Sequence, residues 1–299
     1  MHAVRFAEYG DPSVLTVVET DKPVPGTGQV RVAVRAAGVN PFDAKVRSGA
    51  MRLGTLPRGL GAEVAGVVDA LGEGVLDVAV GDAVAGWAVE GGYAECALME
   101  VYAVKPEELD WAQAAALPVA GEAASRALRE LAPRKGETLL VHGASGTVGA
   151  IATQLAIADG VSVIGTAGEA NLDRVRELGA VPVVYGAGLA DRVREVAPRG
   201  VDAVLDTAGH GALPDAIALR GGTTERIVTL ADDAAGELGV RFSSGGQGAR
   251  TPEVLRTLLD AQAHGRIVLP EPRLMSLANA AHAHAELESR GSGKIVLIP

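Results

Sequence analysis

At 299 residues the chain exceeds the usual single-domain size, so two separate cores are expected. Its 48% hydrophobic and 21% charged residues describe a globular chain, and only 3% aromatics leave Val, Ala and Leu to build the interior. A formal charge of -10, from 27 Lys and Arg against 37 Asp and Glu, repels phosphate backbones and anionic lipid, which excludes nucleic acid and membrane surfaces as expected partners. The single cysteine, Cys96, rules out an intrachain disulfide and a multi-cysteine zinc site, and is expected to be a small buried hydrophobe.

The sequence from Met1 to Phe6 runs directly into alternating residues with no charged and apolar leader. No apolar run approaches the ~18 to 20 residues of a membrane span. A soluble, cytoplasmic protein is the expectation. Residues 1–112 read as short strands punctuated by Gly, Pro and Asp; the stretch from Gln29 to Ala36 alternates strictly, as in an antiparallel barrel. From Ala112 an alanine-rich helical segment begins, and from Thr138 strands alternate with helices at βαβ spacing. Strands are expected at 138–142, 161–166, 182–184, 202–206, 226–230 and 240–242, with helices near 147–159, 170–178, 189–196, 211–219 and 252–264. Six such strands suit a doubly wound parallel sheet. The tail after His264 reads strand, helix, strand and is expected to return to the first domain. The domain boundaries expected are therefore 1–112, 113–250 and 251–299.

The most informative stretch lies at the end of the first of these strands. Leu139 to His142 drive into the turn Gly143, Ala144, Ser145, Gly146, Thr147, Val148 and Gly149, which opens a helix. Strand, tight turn and helix are the order a dinucleotide-binding unit requires, the alternative being an ordinary strand-to-helix turn of another α/β domain, and these seven residues are the cofactor-binding candidates. Gly146 would let backbone approach a pyrophosphate, Gly149 would let the helix lie close on the strand, and the helix N-terminus offers N–H groups to the anion. The first fingerprint position is Ala144, or Gly143 if the spacing is read one residue earlier.

Further motifs recur along the chain. Ala36-Ala37-Gly38-Val39-Asn40-Pro41-Phe42-Asp43 is followed by Arg47-Ser48-Gly49, then by the run from Gly59 to Val68, by Val80-Gly81-Asp82-Ala83-Val84, by Gly91-Gly92-Tyr93-Ala94-Glu95 and by Gly293-Lys294-Ile295-Val296. In this order they resemble the zinc-independent medium-chain dehydrogenases/reductases, the quinone oxidoreductase (zeta-crystallin-like) family. The resemblance implies an α/β fold, with a GroES-like β-barrel catalytic domain and a Rossmann cofactor domain. Zinc-dependent relatives carry cysteine at the position of Asn40 and histidine at that of Ala62, so no metal is expected. Asn40 and Asp43 become the residues that line the nicotinamide and substrate cleft in that resemblance, though a loop Asn and Asp also satisfy backbone groups at turns. Relatives that reduce quinones often place a tyrosine after the Arg-Ser-Gly segment; here Ala50 and Met51 occupy it. Met51 would offer an adaptable apolar wall, and Lys45 a donor to a developing oxyanion.

The strand at 161–166 ends at Thr166 without the acidic residue that grips a ribose 2′-hydroxyl, which favours NADPH over NADH. Thr166, Gly168, Asn171, Arg174 and Tyr185 are further cofactor-binding candidates; Tyr185 matches the family's tyrosine after the third strand and could hydrogen-bond the 2′-phosphate, and Arg174 could supply charge. Glu169 would repel that phosphate if it pointed inward, or complement a helix dipole if it did not. Thr207 and Gly209, after the fourth strand, fall where relatives contact the nicotinamide ribose. His142 is expected to be a satisfied core-edge residue, and His210, His282 and His284 to be caps or surface groups.

Together these features lead to the expectation of an NADPH-dependent reductase delivering hydride to a small apolar acceptor, a quinone or α,β-unsaturated carbonyl, with Asn40 and Lys45 supporting the reduced oxygen. Enoyl-thioester reduction and a low-turnover NADPH-binding redox sensor are the alternatives. The strand at 240–242 would lie at a sheet edge and favour a homodimer, unless Ser243, Ser244, Gly245 and Gly246 cover it.

Overall fold

The computed structural model describes residues 1–245, 250–290 and 293–299. Gly246, part of the expected edge cover, lies outside the described residues. Two compact units are present: Met1–Val119 with Arg250–His264 and Pro270–Pro299, and Ala120–Ala249 with Gly265–Leu269.

The first unit begins with β1 (His2–Phe6), β2 (Thr16–Glu19), β3 (Val30–Val39), β4 (Arg58–Gly59), β5 (Glu63–Leu71), β6 (Ala83–Ala88) and β7 (Cys96–Val104). The alternation from Gln29 becomes the first half of β3, whose Val30, Val32 and Val34 point into the core. β3 pairs antiparallel with both β5 and β7, and β6 joins those two, so four strands close on themselves as the barrel pattern requires. Helix α1 (Pro41–Ser48) follows β3 directly, with Asn40 as its N-cap and Gly49 ending it at φ +84°. Helices α2 (Trp111–Ala115) and α3 (Pro118–Leu131) come after β7.

In the second unit, β8 (Thr138–His142), α4 (Thr147–Ala158), β9 (Ser162–Ala167), α5 (Leu172–Glu177), β10 (Val181–Val184), α6 (Leu189–Val196), β11 (Ala203–Asp206), α7 (Leu213–Leu219), β12 (Ile227–Thr229) and β13 (Arg241–Phe242) alternate in chain order. Each strand falls within about one residue of its expected range, the scatter normal at element ends. All pairings are parallel, in the order β10-β9-β8-β11-β12-β13. Renumbered within the unit this is 3-2-1-4-5-6, the dinucleotide-binding arrangement. β8 sits at the centre with helices on both faces, which explains its unbroken run of Leu139, Leu140 and Val141, all fully buried. β13 is an edge, as expected, with Phe242 exposed.

Helix α8 (Pro252–Ala263), β14 (Arg273–Ser276), α9 (Ala280–Arg290) and β15 (Ile295–Ile298) complete the chain. The tail does rejoin the first unit: β15 adds antiparallel to β3 on the side opposite β5, and β14 pairs parallel with β15.

Candidate active site

The candidate residues fall into two groups, one in each unit. In the first, Asn40 follows β3 and is the N-cap of α1. Its backbone N–H donates to Asp43 Oδ2 at 2.9 Å, as an acidic residue in a helix's first turn allows. Asn40 Nδ2 donates to Glu63 Oε1 at 2.9 Å, and Lys294 Nζ donates to Asn40 Oδ1 at 2.7 Å and to Val39 O at 3.2 Å. Lys294 also pairs with Glu63 Oε1, and both side chains are buried, at 7% and 0% exposure. Glu63 Oε2 accepts the backbone N–H of Val119 at 2.7 Å, near the start of α3. The Lys294 ammonium and the Glu63 carboxylate thus pair with each other, the condition for burying either.

Beneath it, Tyr93 Oη donates to Asp43 Oδ2 at 3.2 Å and lies 3.3 Å from His284 Nε2. Room for the Tyr93 ring comes from Gly61 at φ +98°, where a Cβ would come within 2.4 Å of it. Burial pushes the Asp43 carboxyl up to about 7; the Asn40 N–H opposes this, Glu63 adds to it, and Lys294 and Tyr93 oppose it. Burial likewise raises the Tyr93 phenol and lowers the His284 imidazole to about 4, with the Arg47 charge adding to the second. His284 corrects an expectation: it is completely buried, and its Nδ1 has no partner among the described residues, whereas His282 is exposed. Ala-rich α9 carries the two histidines two positions apart, so they face different ways.

The other candidates of this unit lie nearby in sequence, on and just after α1. Lys45 is half-buried on α1, and its carbonyl accepts the Met51 N–H at 2.9 Å; Met51 is exposed. Asp43 is 1% exposed and faces the interior. Cys96 is buried as expected, and burial raises its thiol. Among the described residues no group of three or more His, Cys, Asp or Glu is placed to hold a metal ion.

In the second unit the glycine turn joins β8 to α4. Gly143 adopts φ +75°, so it, and not Ala144, serves as the tight-turn glycine. A Cβ on Gly149 would lie 2.2 Å from Gly143 O, so only glycine lets α4 pack this close. Among the described residues a Cβ on Gly146 would meet only Gly143 O, at 3.3 Å, leaving open space above it. Gly146 is also the N-cap of α4 and supplies no side-chain cap, so Thr147, Val148 and Gly149 head a bare helix N-terminus. Ala144 is buried and Ser145 half-buried beside them. Open space over glycine and an uncapped helix start fit the pyrophosphate of a dinucleotide.

Other parts of the unit brace this turn. Thr166, 1% exposed, accepts the Gly143 N–H at 3.3 Å and lies 3.3 Å from His142 Nδ1, so its hydroxyl works within the unit. His142 is only half satisfied, contrary to expectation: its Nε2 is buried without a partner among the described residues. Burial lowers its pKa. Thr207 Oγ1 donates to His142 O at 2.7 Å, tying the end of β11 to the turn. Asp206 Oδ1 accepts the N–H groups of Ala208 and Gly209, the latter at φ +67°. At the ends of β9 and β10, a Cβ on Gly168 would lie 3.3 Å from the exposed Tyr185 hydroxyl. Asn171 caps α5, Arg174 is half-buried on it, with burial lowering its pKa, and Glu169 is exposed.

Sequence reasoning gave no role to Glu63, Tyr93, His284 or Lys294. A signal was present for two of them: a glutamate inside the apolar run from Leu60 to Val68, and a lysine opening the last apolar strand.

Residues 26–108 match the family model of the alcohol dehydrogenase GroES-like domain, and residues 147–231 that of the zinc-binding dehydrogenase. A quinone oxidoreductase of Pseudomonas aeruginosa is 35% identical over 321 aligned positions, covering 99% of each chain. One from Rattus norvegicus is 39% identical over 230, covering 73% of this chain and 70% of its own. Among solved structures, a mycobacterial protein complexed with NADPH superposes with a TM-score of 0.87 at 29% identity, over 100% of both chains. The Escherichia coli quinone oxidoreductase complexed with NADPH gives 0.85 at 26%, again over 100% of both.

Proposed function

The chain belongs to the quinone oxidoreductase family of medium-chain dehydrogenases/reductases, and on that premise we propose that it transfers hydride from NADPH to a quinone or an α,β-unsaturated carbonyl. The observation that carries the reading is the turn between β8 and α4, where Gly143, Gly146 and Gly149 clear a path to an uncapped helix N-terminus. Thr147, Val148 and Gly149 would hold the pyrophosphate there through backbone N–H groups. NADPH is favoured over NADH because β9 ends in Thr166 and Ala167 with no carboxylate. Tyr185 and Arg174 are the candidates for holding the 2′-phosphate, and the two structural relatives above were solved with NADPH.

When bound, the nicotinamide supplies the hydride; the protein's part is orientation and support of charge. Asn40 offers an amide N–H to the oxygen that gains negative charge on the acceptor. No side chain need deliver a proton to a quinol or enolate oxygen open to water. The test is a spectrophotometric assay of NADPH oxidation with 1,2-naphthoquinone, with 9,10-phenanthrenequinone and with an enone. Turnover with at least one of them is expected. Tight NADPH binding with no turnover across a broad acceptor panel would replace this reading with the redox sensor.

A further inference from the structure

Lys294 has three N–H donors, and all three have acceptors within the protein: Val39 O, Asn40 Oδ1 and Glu63 Oε1. It therefore has no donor left for a ligand and acts through its neighbours. Those neighbours hold the two ends of one amide. The Asn40 oxygen faces an ammonium and its nitrogen faces a carboxylate, at 2.7 and 2.9 Å. Turning the amide over would set N–H groups against the cation and an oxygen against the anion, replacing two charge-assisted bonds by two repulsions. An isolated asparagine has no such preference, since its two orientations have nearly the same shape.

The arrangement depends on the sheet. Lys294 stands immediately before β15 and Glu63 at the start of β5, on opposite sides of β3. Glu63 is directly across from Gly38, where a Cβ would lie 2.1 Å from Glu63 Oε1. The missing side chain lets the carboxylate pass over the middle strand toward the lysine. We propose that Lys294 is a positioning residue that, with Glu63, fixes the Asn40 amide so that the second N–H of Nδ2 is the group presented to a ligand. The inference rests on the reading above, in which that N–H supports the reduced oxygen of the acceptor.

The chain has three asparagines, so selective ¹⁵N labelling gives three side-chain amide signals to follow. In Lys294→Met, hydrogen exchange at Asn40 Nδ2 should accelerate roughly tenfold or more as the amide loses its fixed orientation. Quinone-reductase kcat should fall about tenfold to hundredfold, the scale on which small misplacement of a reacting group acts. The Kd for NADPH should stay unchanged. A folded Lys294→Met with wild-type exchange at Asn40 overturns the proposal, as does a lowered melting temperature with kcat unchanged, which would make the lysine merely structural. Should the methionine variant not fold, Lys294→Gln keeps two N–H donors and is read the same way: faster exchange at Asn40 supports the inference and unchanged exchange overturns it. Wild-type protein that reduces no acceptor would defeat the functional reading alone, since the exchange rates judge the lysine independently.

Discussion

The Lys294 ammonium and the Glu63 carboxylate meet across β3 although 231 residues separate them in the chain, and they do so over the bare backbone of Gly38. Both are buried, and a buried ion pair is costly to break one-sidedly because the remaining charge has no partner. Gly38→Ala should therefore displace the carboxylate and destabilise the protein by about 1 to 3 kcal/mol, as overpacking of a filled interior does. Chemical denaturation measures the loss, and wild-type stability in the alanine variant would mean that Glu63 can leave its place freely.

The Asp43, Tyr93 and His284 chain predicts a concealed pH dependence. The folded protein keeps a proton on Asp43 up to about 7 while the unfolded chain releases it near 3.8, so this group lowers stability as pH rises through that window. His284 works the other way. Folded, it stays neutral down to about 4, while unfolded it takes up a proton below 6.5, so stability is lost as pH falls between those values. In the wild type the two slopes oppose each other. Asp43→Asn should expose the histidine's slope and His284→Gln the aspartate's, each at most about 1.4 kcal/mol per pH unit. Urea unfolding of all three proteins between pH 4 and 7 decides it, and three parallel stability curves would refute the pairing.

At the glycine turn, Gly146→Val would place a branched side chain in the open space over α4. NADPH binding should weaken by about 1 to 3 kcal/mol, a factor of roughly 5 to 150 in Kd, with the fold retained because φ is −74° there. Calorimetry that found the same affinity would put the pyrophosphate elsewhere.

Asn40 has its amide engaged by Glu63 and Lys294, and the side chain of Ala62, the other position at which the resemblance puts a zinc ligand, is a methyl group. Catalytic zinc takes about three protein ligands. Purified protein is thus expected to hold no stoichiometric zinc and to keep its activity in EDTA. About one zinc per chain by elemental analysis, removed together with activity, would contradict this.

A homodimer through the β13 edge is also expected, and the register decides which residue tests it. Ser243 N–H donates inward to Thr229 O at 2.9 Å. Strand groups alternate, so Arg241 also points at β12 and Phe242 turns its N–H to the open edge. A proline at Arg241 would break the internal ladder. Phe242→Pro should weaken the dimer, and Phe242→Ala, which keeps the N–H, should weaken it less. Light scattering that shows a monomer of the wild type at tens of micromolar ends the idea.

The second unit was readable in the sequence almost strand by strand, because its strands are apolar runs such as Leu139 to Val141 and its turns carry glycines with fixed jobs. Asn40 was readable from its place after β3. Its partners were not, because nothing local in the sequence sets β15 beside β3, and the meeting of Lys294 with Asn40 depends on that pairing. The burial of His284 is hidden for a related reason: it meets Tyr93, far away in the chain, and the Ala-rich helix that bears it has too weak a pattern to say which side faces inward.

The nesting of one unit inside the other has a consequence for biosynthesis. Residues 120–249 are made without interruption and have most of their parallel sheet's chain available early, whereas the barrel unit is divided between the first 119 residues and the last. On the ribosome, where segments generally fold as they emerge, β15 and the lysine before it arrive after every other part of the candidate site. Until then the flank of β3 that β15 covers is unpaired, and a nascent chain stalled short of residue 294 would contain a parallel-sheet unit able to form and a barrel unit lacking the cation that meets Asn40 and Glu63.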